Sequence, residues 1–504
     1  MLLDFSTQAH YLWALLPETV LSVWAMLVLL VDVFQKGDRS EPSRPGIARL
    51  TLVGIVLAGV ANAWLGTFRE AGTDGVMALD AFRVFTNYVF LLAAGLFVLV
   101  AERYLEQERM KYGELYVLVL LATVGMMVFA GSRDLMVIFI GLELMSVAVY
   151  VLTGANRRDR RAAEAALKYF LLGAFSSAFF LFGVALIYGS ARSTNLAVIA
   201  NAVGIDGLGA SPMLLIGMVL LAVGFAFKVA AVPFHMWTPD AYDGAPAPVS
   251  GFMAVAVKAA AFAAFLRVFL TAFPSLHDTW GQLVAGLAIL TMVAANLVAT
   301  VEGNVKRMLA YSSIAHAGYL LVALAAASTT GAASFLFYLV VYTLMTVGAF
   351  AVVLVVGRKG EARVDLDWYA GLGWERPLLG VAMTVFLLSL AGFPFTGGFI
   401  GKFYILRAAI EKDMILEAVL LVLASLLSYY YYLRVAWYMW FRSAADAETH
   451  RGITVSPGVR VALAAAVIGI LWLGIFPGSL LELAERSTAV FAQAPSAVLP
   501  LSGR

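Results

Sequence analysis

Cysteine is absent from all 504 residues. Its absence excludes disulfides, thiolate-held zinc and cysteine-ligated iron–sulfur clusters on this chain. Histidine is scarce: His10, His235, His277, His316 and His450 are scattered, with no paired metal spacing. No GxGxxG follows a strand pattern and no GxxxxGK(S/T) occurs, so a nucleotide site has no support. A formal net charge of +2 is uninformative for so large a chain, and no nucleic-acid partner is expected. Charge of either sign is sparse as well. Only 13% of residues are charged and 62% are hydrophobic, with a mean hydropathy of +0.89. That is the composition of a polytopic membrane protein.

Cutting at charged, Gly- and Pro-rich breaks leaves fourteen apolar spans: 10–34, 47–68, 79–102, 113–130, 134–153, 162–189, 212–236, 246–271, 279–300, 305–326, 331–356, 378–411, 414–441 and 458–480. Most approach the ~20 residues a bilayer requires. The first, from about Tyr11 to Phe34, is too long for a signal-peptide core and lacks a basic start, so it is expected to stay as a helix. Connections such as 190–211, 357–377 and 442–457 are too short for a soluble domain. The expectation is one all-α membrane domain over 1–504. Its parts are 1–111 (three helices), 112–272 (a first repeat), 278–442 (a second repeat) and 457–504 (a last helix and tail).

Basic residues are split unevenly between the two faces. Loops after odd-numbered spans, with the adjoining helix ends, hold twenty Lys and Arg; the opposite loops hold six, Arg69, Arg133, Arg192, Lys412, Arg486 and Arg504. The positive-inside rule puts the richer face in the cytoplasm, so both termini are expected on the outer side.

Two spans are interrupted alike. The seventh reads FAFKVAAVPFHMW and breaks near Pro233; the twelfth reads SLAGFPFTGGFIGKFY and breaks around Pro394, with Gly392, Gly397 and Gly398 nearby. Proline inside a helix frees a carbonyl. In lipid such a break survives only where protein or a water-filled cavity satisfies the backbone. Spans 4–8 and 9–13 form two units of five, each with its broken helix fourth. Five is odd, so the second unit starts from the opposite face. That is an inverted-topology repeat, the arrangement of many secondary transporters.

Charges inside apolar runs mark the candidate site. An ionisable group near the bilayer centre costs ~3 kcal/mol on insertion scales, so Glu143, Lys168, Lys228, Lys258 and Lys402 must face one another, water or backbone carbonyls. Glu143 lies midway between Arg133 and Arg157, with Lys228 its natural partner. A carboxylate–ammonium pair that opens and closes offers a proton-transfer element. Lys258 has no sequence neighbour of opposite sign and reads as a neutral or hydrated lysine in a polar channel. Lys402 follows its break by eight residues and Lys228 precedes its break by five. Lys168, two turns after Arg161, serves the path or snorkels to the surface. His316, among Ser312, Ser313 and Tyr319, is either a proton relay or a hydrogen-bonded core histidine. His235 reads as structural, and Arg83, Arg267, Arg407 and Arg434 as snorkelling near helix ends. Tyr429–Tyr432 with Trp437 and Trp440 reads as an interfacial aromatic belt. TPDAYDGAPAPVSG reads as a rigid connector.

Two long stretches carry a family resemblance. VEGNVKRMLAYSSIAHAGYLL and KVAAVPFHMWTPDAYDGAPAPVSGFMAVAVK resemble the antiporter-like membrane subunits of respiratory complex I, relatives of the multi-subunit sodium/proton antiporters. The opening LLPETVLSVWAMLVLLVDVF and the stretch AGFPFTGGFIGKFY are similar to the N-type subunits of the bacterial proton-pumping NADH:quinone oxidoreductase. The resemblance implies fourteen helices in two inverted five-helix repeats. It places the family's glutamate on Glu143, its lysines on Lys228 and Lys258, and the ionisable residue of its second broken helix on Lys402. Lys168 and His316 match further polar positions of its central hydrophilic axis. The N type is favoured by Lys402, because M-type subunits usually carry a glutamate there. The resemblance further implies a proton path on this chain, no cofactor of its own, and FMN, iron–sulfur clusters, NADH and quinone on partner subunits of a bacterial cytoplasmic-membrane complex. An M-type subunit or a subunit of a cation/proton antiporter is the alternative reading.

Overall fold

Short polar residues decide where the apolar runs become helices. Asp80 accepts from the Arg83 amide, Asp134 from Met136 and Val137, Asp159 from Arg161, and Asn304 from Lys306 and Arg307. Each satisfies amides that the first turn of a helix leaves unpaired. The computed structural model describes residues 2–3, 8–34, 45–70, 75–110, 113–205, 207–443, 450 and 452–491. The membrane helices are α1 (Leu16–Phe34), α2 (Pro45–Leu65), α3 (Ala81–Glu108), α4 (Glu114–Gly131), α5 (Leu135–Thr153), α6 (Arg160–Ala191), α7a (Pro212–Val229), α7b (Trp237–Gly244) and α8 (Ala247–Ala272). They continue with α9 (His277–Val301), α10 (Val305–Ala325), α11 (Thr329–Gly357), α12a (Pro377–Ala391), α12b (Gly397–Ile410), α13 (Ile415–Phe441) and α14 (Pro457–Ile475). An amphipathic helix, α15 (Gly478–Thr488), follows.

Among the described residues, thirteen helices are long and apolar enough to cross a membrane. The expected twelfth span is instead a shorter apolar helix, α12a, resumed beyond its break as α12b. The helical membrane architecture is the one expected. Of the residues used in the orientation argument, Lys36, Arg39, Arg44, Lys111, Arg451 and Arg504 lie outside the described residues.

Both expected repeats carry the same local devices. Between α4 and α5, Leu135 N bonds Thr194 O and Leu196 N bonds Arg133 O, both at 2.9 Å. Between α9 and α10, Val305 N bonds Val364 O at 2.8 Å and Leu366 N bonds Gly303 O at 3.0 Å. In each unit the turn before the second helix is thus stitched to the chain leaving the third. The two breaks also match. α7a ends on Ala230 in the left-handed region (φ 62°), with Ala231 N on Ala226 O at 2.8 Å. α12a ends on Gly392 (φ 91°), with Phe393 N on Leu388 O at 2.9 Å. These are left-handed helix caps, and glycine meets the requirement without strain.

α8, α10 and α11 are buried almost all round and form the core, as helices apolar on every face must. α4 and α5 meet through small residues: a Cβ on Gly125 would stand 2.4 Å from Met145 N, and one on Gly141 2.5 Å from Phe129 N. Two arginines expected to snorkel are instead buried clamps. Arg83 bonds Glu18 at 2.8 Å and the Ala14 and Ala78 carbonyls. Arg267, on α8, grips Asp80 with both terminal nitrogens (2.7 and 3.0 Å) and the Ala130 carbonyl at 2.8 Å. Placement near a helix end did not decide their fate; a carboxylate within reach did. Arg434 is half-buried on the Thr300 and Glu302 carbonyls. Arg407 does stay at the surface, paired with Glu411 at 2.7 Å.

Burial raises the proton affinity of the Asp80 carboxyl, but Arg267 overcomes this and holds it at about 2. A carboxylate depressed in the fold contributes stability that is present above its unfolded pKa and lost as pH falls toward about 2. Breaking a buried pair by removing one partner costs roughly 3–5 kcal/mol. Arg267→Met should therefore lower the thermal midpoint of the solubilised protein sharply at neutral pH, while Arg407→Ala leaves it unchanged. Equal midpoints for the two variants would contradict the clamp.

Candidate functional site

The core of the second repeat holds two adjacent hydrogen-bonded groups, Lys258 with Ser313 and Ser312 with Tyr432, His316 and Tyr338. Lys258 enters from α8, one residue past a π-helical turn, Met253–Val257. Such turns re-aim side chains and recur at functional sites. The ammonium donates to Ser313 O at 2.8 Å and Ser313 Oγ at 2.6 Å, and only 3% of the residue is exposed. Ser312, next in the chain, shares a hydrogen bond with the Tyr432 hydroxyl. Tyr432 also meets His316 Nε2 at 3.1 Å, and His316 Nδ1 contacts the Tyr338 hydroxyl. Serine and tyrosine hydroxyls donate and accept, and neutral imidazole does one on each nitrogen, so the run has the groups a proton relay needs.

A second branch reaches Lys402. Tyr431 OH donates to Asn296 Oδ1 at 2.9 Å, and Asn296 Nδ2 donates to Tyr319 OH at 3.1 Å. The Lys402 ammonium lies 4.9 Å from the centre of the Tyr319 ring. It donates to Ala391 O at 2.9 Å, the last carbonyl of α12a, so the break directly supplies the lysine's acceptor. Beside it lies a cavity of about 240 Å³, lined by Gly392, Phe399, Lys402, Phe403, Ser425 and Tyr429.

The first repeat is arranged differently from expectation. Lys228, 1% exposed, donates to Ser146 Oγ at 2.9 Å and Tyr150 OH at 3.1 Å on α5. It makes no ion pair with Glu143. Glu143 stands one turn earlier and accepts from Ser177 of α6. It is half-buried, beside the outward-facing Ile140, Leu144 and Val147. The expected pair does not form because Lys228 meets α5 at the level of Ser146 and Tyr150, whereas Glu143, one turn earlier on the same stripe, is bonded to Ser177 of α6. Tyr150 and Tyr169 pack edge to face at 4.7 Å, and Tyr169 stacks on Trp237 at 4.3 Å.

Lys168 lies outside this interior. Its side chain is 46% exposed and bridges Glu164 (2.8 Å) and Asp240 (2.9 Å). Asp240 also meets Arg307 at 3.1 Å. Much of the expected connector is helix α7b. His235 is half-buried in the first break, its Nδ1 buried without a hydrogen-bond partner. The expected aromatic belt divides: Tyr430 and Trp437 face outward, but Tyr431 and Tyr432 are fully buried in the site. Composition named the belt; helical phase decides which two of four tyrosines turn inward. Ser146, Tyr150, Asn296 and Tyr338 are not among the residues singled out from sequence; Ser313 enters there only as a neighbour of His316, and Tyr431 and Tyr432 only as part of the belt. Glu143, Ser146 and Tyr150 at i, i+3 and i+7 form a polar stripe that spacing alone could have found. Among the described residues no cluster of His, Cys, Asp and Glu could hold a metal ion.

Comparison with known proteins places this geometry. The family described as NADH:quinone oxidoreductase/Mrp antiporter, TM matches residues 132–428, which contain both breaks and all six candidate residues. Subunit N of the NADH-quinone oxidoreductase of Trichlorobacter lovleyi is 49% identical over 475 residues, covering 94% of this chain and 96% of that protein. Its counterpart in Gemmatimonas aurantiaca is 42% identical over 509 residues, covering 99% and 97%. A chain of respiratory complex I from Thermus thermophilus, solved with aureothin, is 37% identical, with a TM-score of 0.78 over 93% of this chain and 99% of its own. A chain of the archaeal membrane-bound sulfane sulfur reductase shares the fold at 23% identity, with a TM-score of 0.82 over 95% and 98%. The chain belongs to the subunit N family of the NADH-quinone oxidoreductases.

Proposed function

We propose that this chain is a proton-translocating membrane subunit of a bacterial NADH:quinone oxidoreductase, and that Lys228, Lys258 and Lys402 are its proton stations. The observation that carries this reading is the run of hydroxyls and imidazole beside Lys258: Lys258 bonds Ser313, and the adjacent Ser312 bonds Tyr432, which meets His316. His316 serves as a secondary relay. Glu143 serves at the rim: lipid cannot host a carboxylate at that depth, so its face of α5 and α6 packs against another membrane subunit. Lys168 acts from the surface, through Asp240. NADH and quinone bind to other subunits, which also carry FMN and the iron–sulfur clusters; this chain holds no cofactor. Parts 1–111, 112–272, 278–442 and 457–504 are the N-terminal helices, the two repeats and the C-terminal helix with its tail.

Lys402→Ala should lose proton uptake in reconstituted vesicles, at equal complex content on a native gel. Lys402→Arg keeps the cation but hardly deprotonates, so it should lose part or most of the uptake. Full pumping with Lys402→Ala would remove this residue from the path.

We also propose that the basic-rich face is cytoplasmic and both termini lie outside, on the count of twenty basic residues against six. An added Ala155→Cys should resist an impermeant maleimide in intact cells and react in inverted vesicles. Labelling from outside would reverse the topology.

A further inference from the structure

Lys306 and Glu361 are not used by the path described above, yet both are buried. Their side chains meet at 2.5 Å and are 2% and 9% exposed. Each also serves a helix end. The Lys306 ammonium donates to Asp243 O at 3.0 Å and Ala245 O at 2.5 Å, at the C-terminal end of α7b. Glu361 Oε1 accepts from Ala247 N at 2.6 Å, the first amide of α8. A cation at a helix C-terminus and an anion at an N-terminus are the favourable placements. One ion pair therefore bolts together α7b, α8, α10 and the turn after α11.

Further observations give this bolt a second meaning. It borders a cavity of about 10 Å³, room for about one water, lined also by Tyr104, Asn156, Asp159, Arg161 and Asp243. The cavity lies on the basic-rich face, eleven residues of α8 or about 16 Å from Lys258. Between them stands Tyr242 of α7b, fully buried, its ring centre 5.9 Å from the Lys258 ammonium. Ser250, one turn into α8 and fully buried, donates to the Tyr242 carbonyl at 2.7 Å. Glu361 itself is held at φ 46°, a backbone state that non-glycine residues seldom adopt.

We propose that the cytoplasmic mouth of the proton path is this cavity, and that the Lys306–Glu361 pair is the gate that closes it above Tyr242 and Lys258. This rests on the proposed proton function and on the cytoplasmic placement of the basic-rich face. With the pair made, the cavity ends at the bolt. When it parts, the ends of α7b and α8 lose their shared tie, and water reaches Ser250 and Tyr242.

The test measures access rather than pumping. The chain has no cysteine, so Ser250→Cys supplies a single thiol on it. Inverted membrane vesicles carrying the assembled complex are treated with a small cationic methanethiosulfonate. The parent pair should protect the thiol. Adding Glu361→Gln should speed labelling at least about tenfold, equivalent to about 1.4 kcal/mol of lost closure. The lost negative charge alone would slow a cationic reagent, so acceleration reports opening. NADH-driven turnover should also speed labelling with the pair intact, which decides the matter if Glu361→Gln does not assemble. Unchanged labelling in the variant, or during turnover where only that can be read, overturns the gate. Such a result alongside lost pumping in Lys402→Ala would leave the proton function standing. Gated labelling alongside full pumping in Lys402→Ala would instead count against the placement of the path.

Discussion

An ammonium group inside a bilayer must find acceptors within the protein, because lipid offers none. The interior of this chain is organised by that requirement. Lys402 takes the last carbonyl of a broken helix, Lys258 takes both oxygens of Ser313, and Lys228 takes two hydroxyls of α5. Each arrangement needs a local departure from regular helix or a polar stripe on a neighbour. The break after Ala391, the π-turn before Lys258 and the left-handed cap at Ala230 are the departures. They would be defects in a spacer helix; here each lies beside a buried lysine, and the break after Ala391 supplies the acceptor itself.

The same requirement explains why the core helices differ from the rest. α8, α10 and α11 can carry Lys258, His316 and Tyr338 because no face of them meets lipid. Arg407 and the Lys168–Asp240–Arg307 cluster keep their charges toward the surface. Glu143 is half-buried on an outer helix with one serine partner. Its surroundings are completed by a neighbouring membrane subunit in the proposed assembly.

Much of this was legible in the sequence. Apolar runs, short polar caps and paired prolines mark the helices and both breaks, because length, capping and proline act locally. The buried lysines were legible because a charge in an apolar run has few places to go. The pairing was not. Lys228 bonds Ser146 and Tyr150 rather than Glu143 through its height along α5, a tertiary fact that charge complementarity cannot foresee. Nor could composition separate Tyr431 and Tyr432 from a surface belt, since only helical phase against α10 turns them inward. Arg83 and Arg267 were misplaced for the same reason: Glu18 and Asp80 are distant in sequence and close in space.

The central claim is that the buried axis, not the surface cluster, carries the proton. Proton uptake per NADH oxidised, in vesicles holding equal amounts of assembled complex, compares Lys258→Ala with Lys168→Ala directly. The account predicts that Lys258→Ala loses most or all uptake while Lys168→Ala keeps the larger share. Normal uptake with Lys258→Ala, or a heavier loss with Lys168→Ala, would contradict it.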